Sequence, residues 1–94
     1  MPNALERLQE TLQERDATRP HGSYSAELFA DPELLQRKIM EEAFEVCLEL
    51  GRQPLAADRV TSEAADLVFH LTVGLVSVGL GWHEVLEELE GRVR

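Results

Sequence analysis

Two stretches of this chain, Asp31 to Leu50 and Asp58 to about Gly79, are apolar around most of a helical circumference. On the first, with each residue turning the chain by roughly 100° and Glu42 taken as zero, Lys38, Glu45 and Glu49 fall within roughly 60° and Glu41 at roughly 100°. Most of the remaining arc is Leu35, Ile39, Ala43, Phe44, Val46, Cys47 and Leu50. On the second, Arg59, Ser62, Glu63, Asp66 and His70 share one face and the rest is Ala, Leu, Val and Phe. Such helices must be covered on several sides, and 94 residues supply too few neighbours to do so. The pattern therefore predicts an all-α bundle of four to five helices, completed by a second copy of the chain as a homodimer or higher homo-oligomer. Strand alternation, internal repeats and low-complexity segments are absent from the sequence.

Local signals divide the chain into these helices. Asn3 caps a first helix, with Glu6 in the capping-box position and Leu5, Leu8 and Leu12 as its apolar stripe to about Asp16. Thr18 to Ser23 has loop composition, and Ser25 is placed to cap a short turn through Phe29. Asp31-Pro32 is a helix start and Gly51 a stop, Asp58 can cap the next helix, and Gly79 and Gly81 end it. A short amphipathic helix follows from Trp82 to about Glu90. One domain over residues 1–94 is expected, an N-terminal helix to residue 18 and a helical core from 19 onward.

Eighteen acidic against nine basic residues leave a formal charge of −9. That surface repels nucleic-acid backbones and anionic membranes, so neither is expected as a partner. The charged first nineteen residues carry no signal-peptide core, and the apolar run after Glu63 is too short and too interrupted for a membrane span, which predicts a soluble, cytoplasmic protein. The single cysteine, Cys47, is expected as a small core residue of a reducing compartment.

Chemistry concentrates in two acidic clusters, Glu41-Glu42-x-x-Glu45 and Glu63-x-x-Asp66. The three-residue step puts neighbouring carboxylates on one face of each helix. With the two helices antiparallel, Glu42 and Glu45 can face Glu63 and Asp66, an all-oxygen set suited to Mg²⁺ or Mn²⁺ with positions left for water and phosphate. Glu41, just outside the set, can accept a proton from water, and Lys38, one turn back, can meet a phosphate. A solvated acidic face, or an ion-pair stripe with Arg59, would use the same residues without a cation. His70 continues the Glu63–Asp66 face and reads as a hydrogen-bonded group behind the ligands, Glu49 as solvent-facing, and Trp82 as a packing residue. Arg19 and the segment Pro20-His21-Gly22-Ser23-Tyr24-Ser25 form the best-equipped polar loop outside the carboxylates.

These residues resemble the MazG-type all-α nucleotide pyrophosphohydrolases and, within them, the phosphoribosyl-ATP pyrophosphatase family. The likeness runs from about Arg19 to the carboxyl terminus, through Gly22-Ser23-Tyr24-Ser25, Lys38-Ile39-Met40-Glu41-Glu42-Ala43, Ser62-Glu63-Ala64-Ala65-Asp66-Leu67-Val68-Phe69-His70-Leu71 and Val85-Leu86-Glu87-Glu88-Leu89. The acidic motif specifies the superfamily; the Ser-Tyr-Ser loop and the Ala-Ala-Asp-Leu-x-x-His-Leu run narrow the family. The resemblance implies a MazG-like bundle and hydrolysis of the α–β phosphoanhydride of phosphoribosyl-ATP, the second step of histidine biosynthesis. It implies metal ligation by Glu42, Glu45, Glu63 and Asp66, help from Glu41, phosphate contact by Lys38, and substrate contact by Ser23, Tyr24 and Ser25. Ser25 stands where the family usually has Thr, and Glu27 where Lys is common. Many relatives are fused to a cyclohydrolase domain, and this chain is expected to be the free-standing form. A house-cleaning nucleoside triphosphate hydrolase and a non-catalytic acidic module for a basic partner are the rival expectations.

Overall fold

The helix ends follow from the local chemistry of their caps. In the computed structural model, which describes residues 2–93, the chain forms α1 (Ala4–Thr18), α2 (Tyr24–Ala30), α3 (Pro32–Leu50), α4 (Ala57–Ser77) and α5 (Trp82–Arg92), with no strand among the described residues. The expected all-α class holds. Asn3 Oδ1 accepts the Glu6 amide at 2.9 Å, and Asp31 Oδ1 accepts that of Leu34 at 3.1 Å, with Pro32 in the first turn. The end of α4 is a Schellman turn: Leu80 N–H reaches the Leu75 carbonyl at 2.9 Å and Gly79 N–H that of Val76 at 3.0 Å. Gly79 sits there at φ +77°, the left-handed region glycine enters without strain.

Two caps differ from expectation. Ser23, not Ser25, caps α2, its Oγ accepting the Ala26 amide at 3.3 Å, because the helix begins two residues earlier than the turn composition suggests. Ala56, not Asp58, precedes α4 and contributes no side-chain cap. Asp58 lies inside the first turn, where its charge still complements the helix dipole.

Helices α3 and α4 make the widest contact, α1 packs along α4, and the short α2 bridges to α1, α3 and α4. The core they enclose is small: Leu12, Leu28, Phe29, Leu35, Val73 and Val76, with Leu8, Leu34, Ile39 and Phe69 packed around it. Helix α5 buries no residue of its own. Its start is pinned by Gln9 Oε1, which accepts the Trp82 amide at 2.7 Å, and by Trp82 Nε1, which donates to Thr72 Oγ1 at 3.0 Å. Trp82 is thus the anchor of the last helix, in keeping with a packing role. No single helix among the described residues is long and apolar enough to cross a membrane.

Much apolar surface remains uncovered. Met40, Phe44, Cys47 and Leu48 form an exposed stripe on α3, with Met40 63% and Phe44 64% exposed. Measured from Glu42, these residues lie at roughly 140–240°, away from the acidic arc. Cys47 therefore sits on the surface of the single chain, not in its core. Periodicity shows that an arc is apolar but not which neighbour covers it. Glu49 departs in the opposite sense: expected in solvent, it is 9% exposed and receives Arg52 Nε at 2.8 Å. It lies at roughly −20°, inside the acidic arc but on the side of it that adjoins Leu35, Ile39 and Val46.

Thr72 is fully buried and also donates to the Val68 carbonyl at 2.6 Å. Thr72→Val keeps the shape but leaves the indole N–H of Trp82 without its partner, so we expect a loss of about 1–2 kcal/mol in urea unfolding. A red-shifted emission from Trp82, the chain's one tryptophan, should accompany it.

Candidate functional site

The acidic faces of α3 and α4 meet along one edge of their contact. Each of Glu42, Glu45 and Glu63 brings a carboxylate oxygen within 4.8 Å of the others. Glu42 and Glu63 are half-buried and Glu45 is exposed. Glu42 Oε2 and Glu63 Oε2 are closed off from solvent and receive no hydrogen bond. No Lys or Arg among the described residues forms an ion pair with any of the three. Like charges packed this closely keep protons or acquire a cation. Glu63 is pushed up to about 7, first by its side-chain hydrogen bond with Glu45, then by desolvation and by the charges of Glu45, Asp66 and Glu42. Glu42 is raised mainly by burial, then by the charges of Glu45 and Asp66 and by a side-chain hydrogen bond with Glu45.

Asp66 lies outside this tight group. It is exposed at the edge of the cluster, yet near enough for its charge to act on both Glu42 and Glu63. Its side chain is one methylene shorter than glutamate, which limits its reach across the helix contact. An unpartnered pair of sheltered oxygens beside two exposed carboxylates suits a hard divalent cation, which takes oxygen ligands and retains water. Glu41 is exposed beside the cluster and carries a 3.4 Å ion pair with Lys38 Nζ.

The polar loop is partly committed to holding itself in place. Arg19 ends α1 with a left-handed backbone, φ 47°, and its guanidinium folds back onto Asp16 at 2.7 Å and over the Phe29 ring at 5.5 Å. Ser25 is buried, with its hydroxyl 3.0 Å from that of Ser23. Direct substrate contact by Ser25 does not fit that burial; Ser23, Tyr24 and Arg19 are the accessible groups of the loop. Arg19, Pro20, Gly22, Ser23, Ala26 and Glu27 line an open groove. Tyr24 projects toward the acidic faces: its phenol is raised by desolvation, opposed by Lys38 and reinforced by Glu42, Glu27 and Glu41.

A family profile described as phosphoribosyl-ATP pyrophosphohydrolase matches residues 5–93. The chain belongs to this family. It is 43% identical over 96 residues to a phosphoribosyl-ATP pyrophosphatase of Rhizorhabdus wittichii, an alignment covering 98% of this chain and 86% of that protein. It is 41% identical over 91 residues to the phosphoribosyl-ATP pyrophosphatase of Cereibacter sphaeroides, covering 96% and 86%. The histidine biosynthesis bifunctional protein HisIE of Deinococcus radiodurans is 41% identical over 95 residues, covering 98% of this chain and 42% of the relative.

The link that sequence reasoning missed is Tyr24 to His70, whose hydroxyl and Nε2 are 2.7 Å apart. Half of the arrangement was legible, since His70 Nδ1 bonds the Asp66 carbonyl at 2.8 Å across one helical turn. The other half joins residues 46 positions apart, and no local spacing announces it.

The raised Glu63 fixes a pH dependence for the metal-free protein. Its ordinary value is 4.5 and its folded value about 7, so between them the folded state holds more protons and stability falls as pH rises. In EDTA the thermal midpoint should be lower at pH 8 than at pH 5.5, and Glu63→Gln should flatten that difference. An unchanged slope in Glu63→Gln would show that the acidic cluster is not its source.

Proposed function

We propose that this chain hydrolyses the α–β phosphoanhydride of phosphoribosyl-ATP, giving phosphoribosyl-AMP and pyrophosphate, with Mg²⁺ or Mn²⁺ as cofactor. The observation that carries the reading is the convergence of Glu42, Glu45 and Glu63 across the α3–α4 contact with no Lys or Arg among the described residues paired to them. Family membership supplies the substrate class and the place in histidine biosynthesis. A small nucleotide substrate and a cytoplasmic setting accord with it.

Glu42, Glu45 and Glu63, with Asp66 at the rim, would hold the cation. Bound there, it supplies a Lewis acid for phosphoryl oxygens and lowers the pKa of a coordinated water. Glu41, exposed beside them, takes the proton of the attacking water as the phosphorus–oxygen bond forms and the anhydride bond breaks. Lys38 has its ammonium already on this face and meets the polyphosphate, exchanging its weak 3.4 Å pair with Glu41 for a phosphate oxygen. Arg19, Ser23 and Tyr24 hold the remainder of the substrate from the loop side. Ser25 supports that loop through its hydroxyl contact with Ser23.

A homodimer completes this reading. The stripe of Met40, Phe44, Cys47 and Leu48 is apolar, contiguous at helical spacing and uncovered in one chain, and a second copy laid against it would supply the helix neighbours that the small core lacks. Sedimentation should give a dimer, and Phe44→Glu should yield a monomer; a monomeric parent protein would refute this part.

Turnover is tested by pyrophosphate release from phosphoribosyl-ATP in Mg²⁺ against an EDTA control, beside a panel of deoxynucleoside triphosphates. Release from phosphoribosyl-ATP should dominate. Glu42→Gln and Asp66→Asn should each lower it by about a hundredfold or more, as expected for lost metal binding, with the helical circular dichroism intact. Full activity in both variants would sink the metal assignment.

A further inference from the structure

We propose that His70 is a positioning residue that ties the substrate loop to the acidic segment of α4 and presents Tyr24 to the substrate as a hydrogen-bond acceptor and ring face, never as a donor to phosphate. His70 is 6% exposed, and both of its ring nitrogens are engaged. Nδ1 lies 2.8 Å from the main-chain oxygen of Asp66. A carbonyl oxygen only accepts, so Nδ1 carries the proton. With the imidazole neutral, as the proposal takes it, Nε2 is then bare, and the Tyr24 hydroxyl 2.7 Å away is assigned as the donor of its single proton to it. The ring is held as firmly as the hydroxyl. Phe69 stacks on it with centroids 6.2 Å apart and planes 15° from parallel, and His70 meets it edge-on at 5.8 Å.

What Tyr24 has left to offer is a lone pair on the phenol oxygen and the ring face of a residue that is 45% exposed. A lone pair repels phosphate oxygens and accepts from a sugar hydroxyl or a base amine. The loop tyrosine is thereby assigned to the nucleoside part of the substrate, and the phosphates fall to cationic groups such as Lys38. Because His70 grips the carbonyl of Asp66 with its other nitrogen, the first residue of α2 and the second acidic pair are fixed relative to one another through one ring. The inference rests on the pyrophosphohydrolase reading for its substrate, though not for its geometry.

The test compares two amides at position 70. Asn places its amide near the Nδ1 position and keeps the Asp66 contact while losing Tyr24; Gln reaches the Nε2 position and can accept from the phenol. His70→Asn should raise KM for phosphoribosyl-ATP about tenfold with kcat within about twofold, the loss of one aligned hydrogen bond in ground-state binding. His70→Gln should recover most of that loss. Tyr24→Phe, at a half-exposed position that folding tolerates, should raise KM similarly, and its combination with His70→Asn should be no worse than either alone. Long-range ¹H–¹⁵N NMR of the protein without substrate should find His70 as the Nδ1–H tautomer. Equal KM values for the Asn and Gln variants, a loss in kcat rather than KM, or the Nε2–H tautomer would each overturn the proposal. A parent protein that releases no pyrophosphate would instead sink the functional reading, and the tautomer would then decide the His70 link by itself.

Discussion

Mutual repulsion among Glu42, Glu45 and Glu63 is the constraint around which this structure is arranged. Their oxygens share a region 4.8 Å across with no lysine or arginine paired to them among the described residues. Such a cluster would spread apart if its helices were free to move. They are not free, because α3 and α4 are also the most extensively packed pair, with Ile39 and Leu35 laid over Gly74 and Val73 fully buried beside them. Apolar burial along one arc of α3 thus holds together the charges carried on the adjoining arc. The raised Glu63 and Glu42 carboxyls are the electrostatic signature of that compromise.

Helix α3 accordingly has three working surfaces. One carries Lys38, Glu41, Glu42 and Glu45; the next, with Leu35 and Ile39, packs into the core; the third carries Met40, Phe44, Cys47 and Leu48. A single chain covers only the middle one. A divalent cation on the first surface and a second copy on the third would relieve the two remaining costs, uncompensated charge and exposed apolar area. Cation binding and assembly would therefore act on separate faces of one rigid element.

Periodicity and cap chemistry made the helices legible, because each reports a local rule: Asn3 and Asp31 at starts, Gly79 in a left-handed turn at an end. The convergence of Glu42, Glu45 and Glu63 was also legible, since two i, i+3 acid pairs on antiparallel helices have few other ways to face. What depends on tertiary neighbours was not. Cys47 and Glu49 exchanged their expected environments because the apolar arc of α3 is wider than one chain can cover, and the edge of the acidic arc falls inside the contact. Arg19 and Ser25, read as open polar groups, are engaged by Asp16 and Ser23 through short-range bonds whose geometry only the folded loop defines.

Glu63, Asp66 and His70 occupy two turns of one face of α4, so the register of that single helix sets the sheltered carboxylate, the rim carboxylate and the ring that holds Tyr24. An α-helix is stiff over such a span, and α3 carries the opposing acids on an equally regular frame. The charge site is therefore preorganised by secondary structure, as electrostatic work on a phosphoanhydride demands. In the proposed reading, the loop between α1 and α2 and the start of α2 would contribute groups that recognise the rest of the substrate. A loop is adaptable where helices are not, and the Tyr24–His70 bond is the point at which its adaptability is limited. In the proposed reading, fixed charges on helices and a tethered loop would together separate the requirement for chemical precision from the requirement for substrate fit.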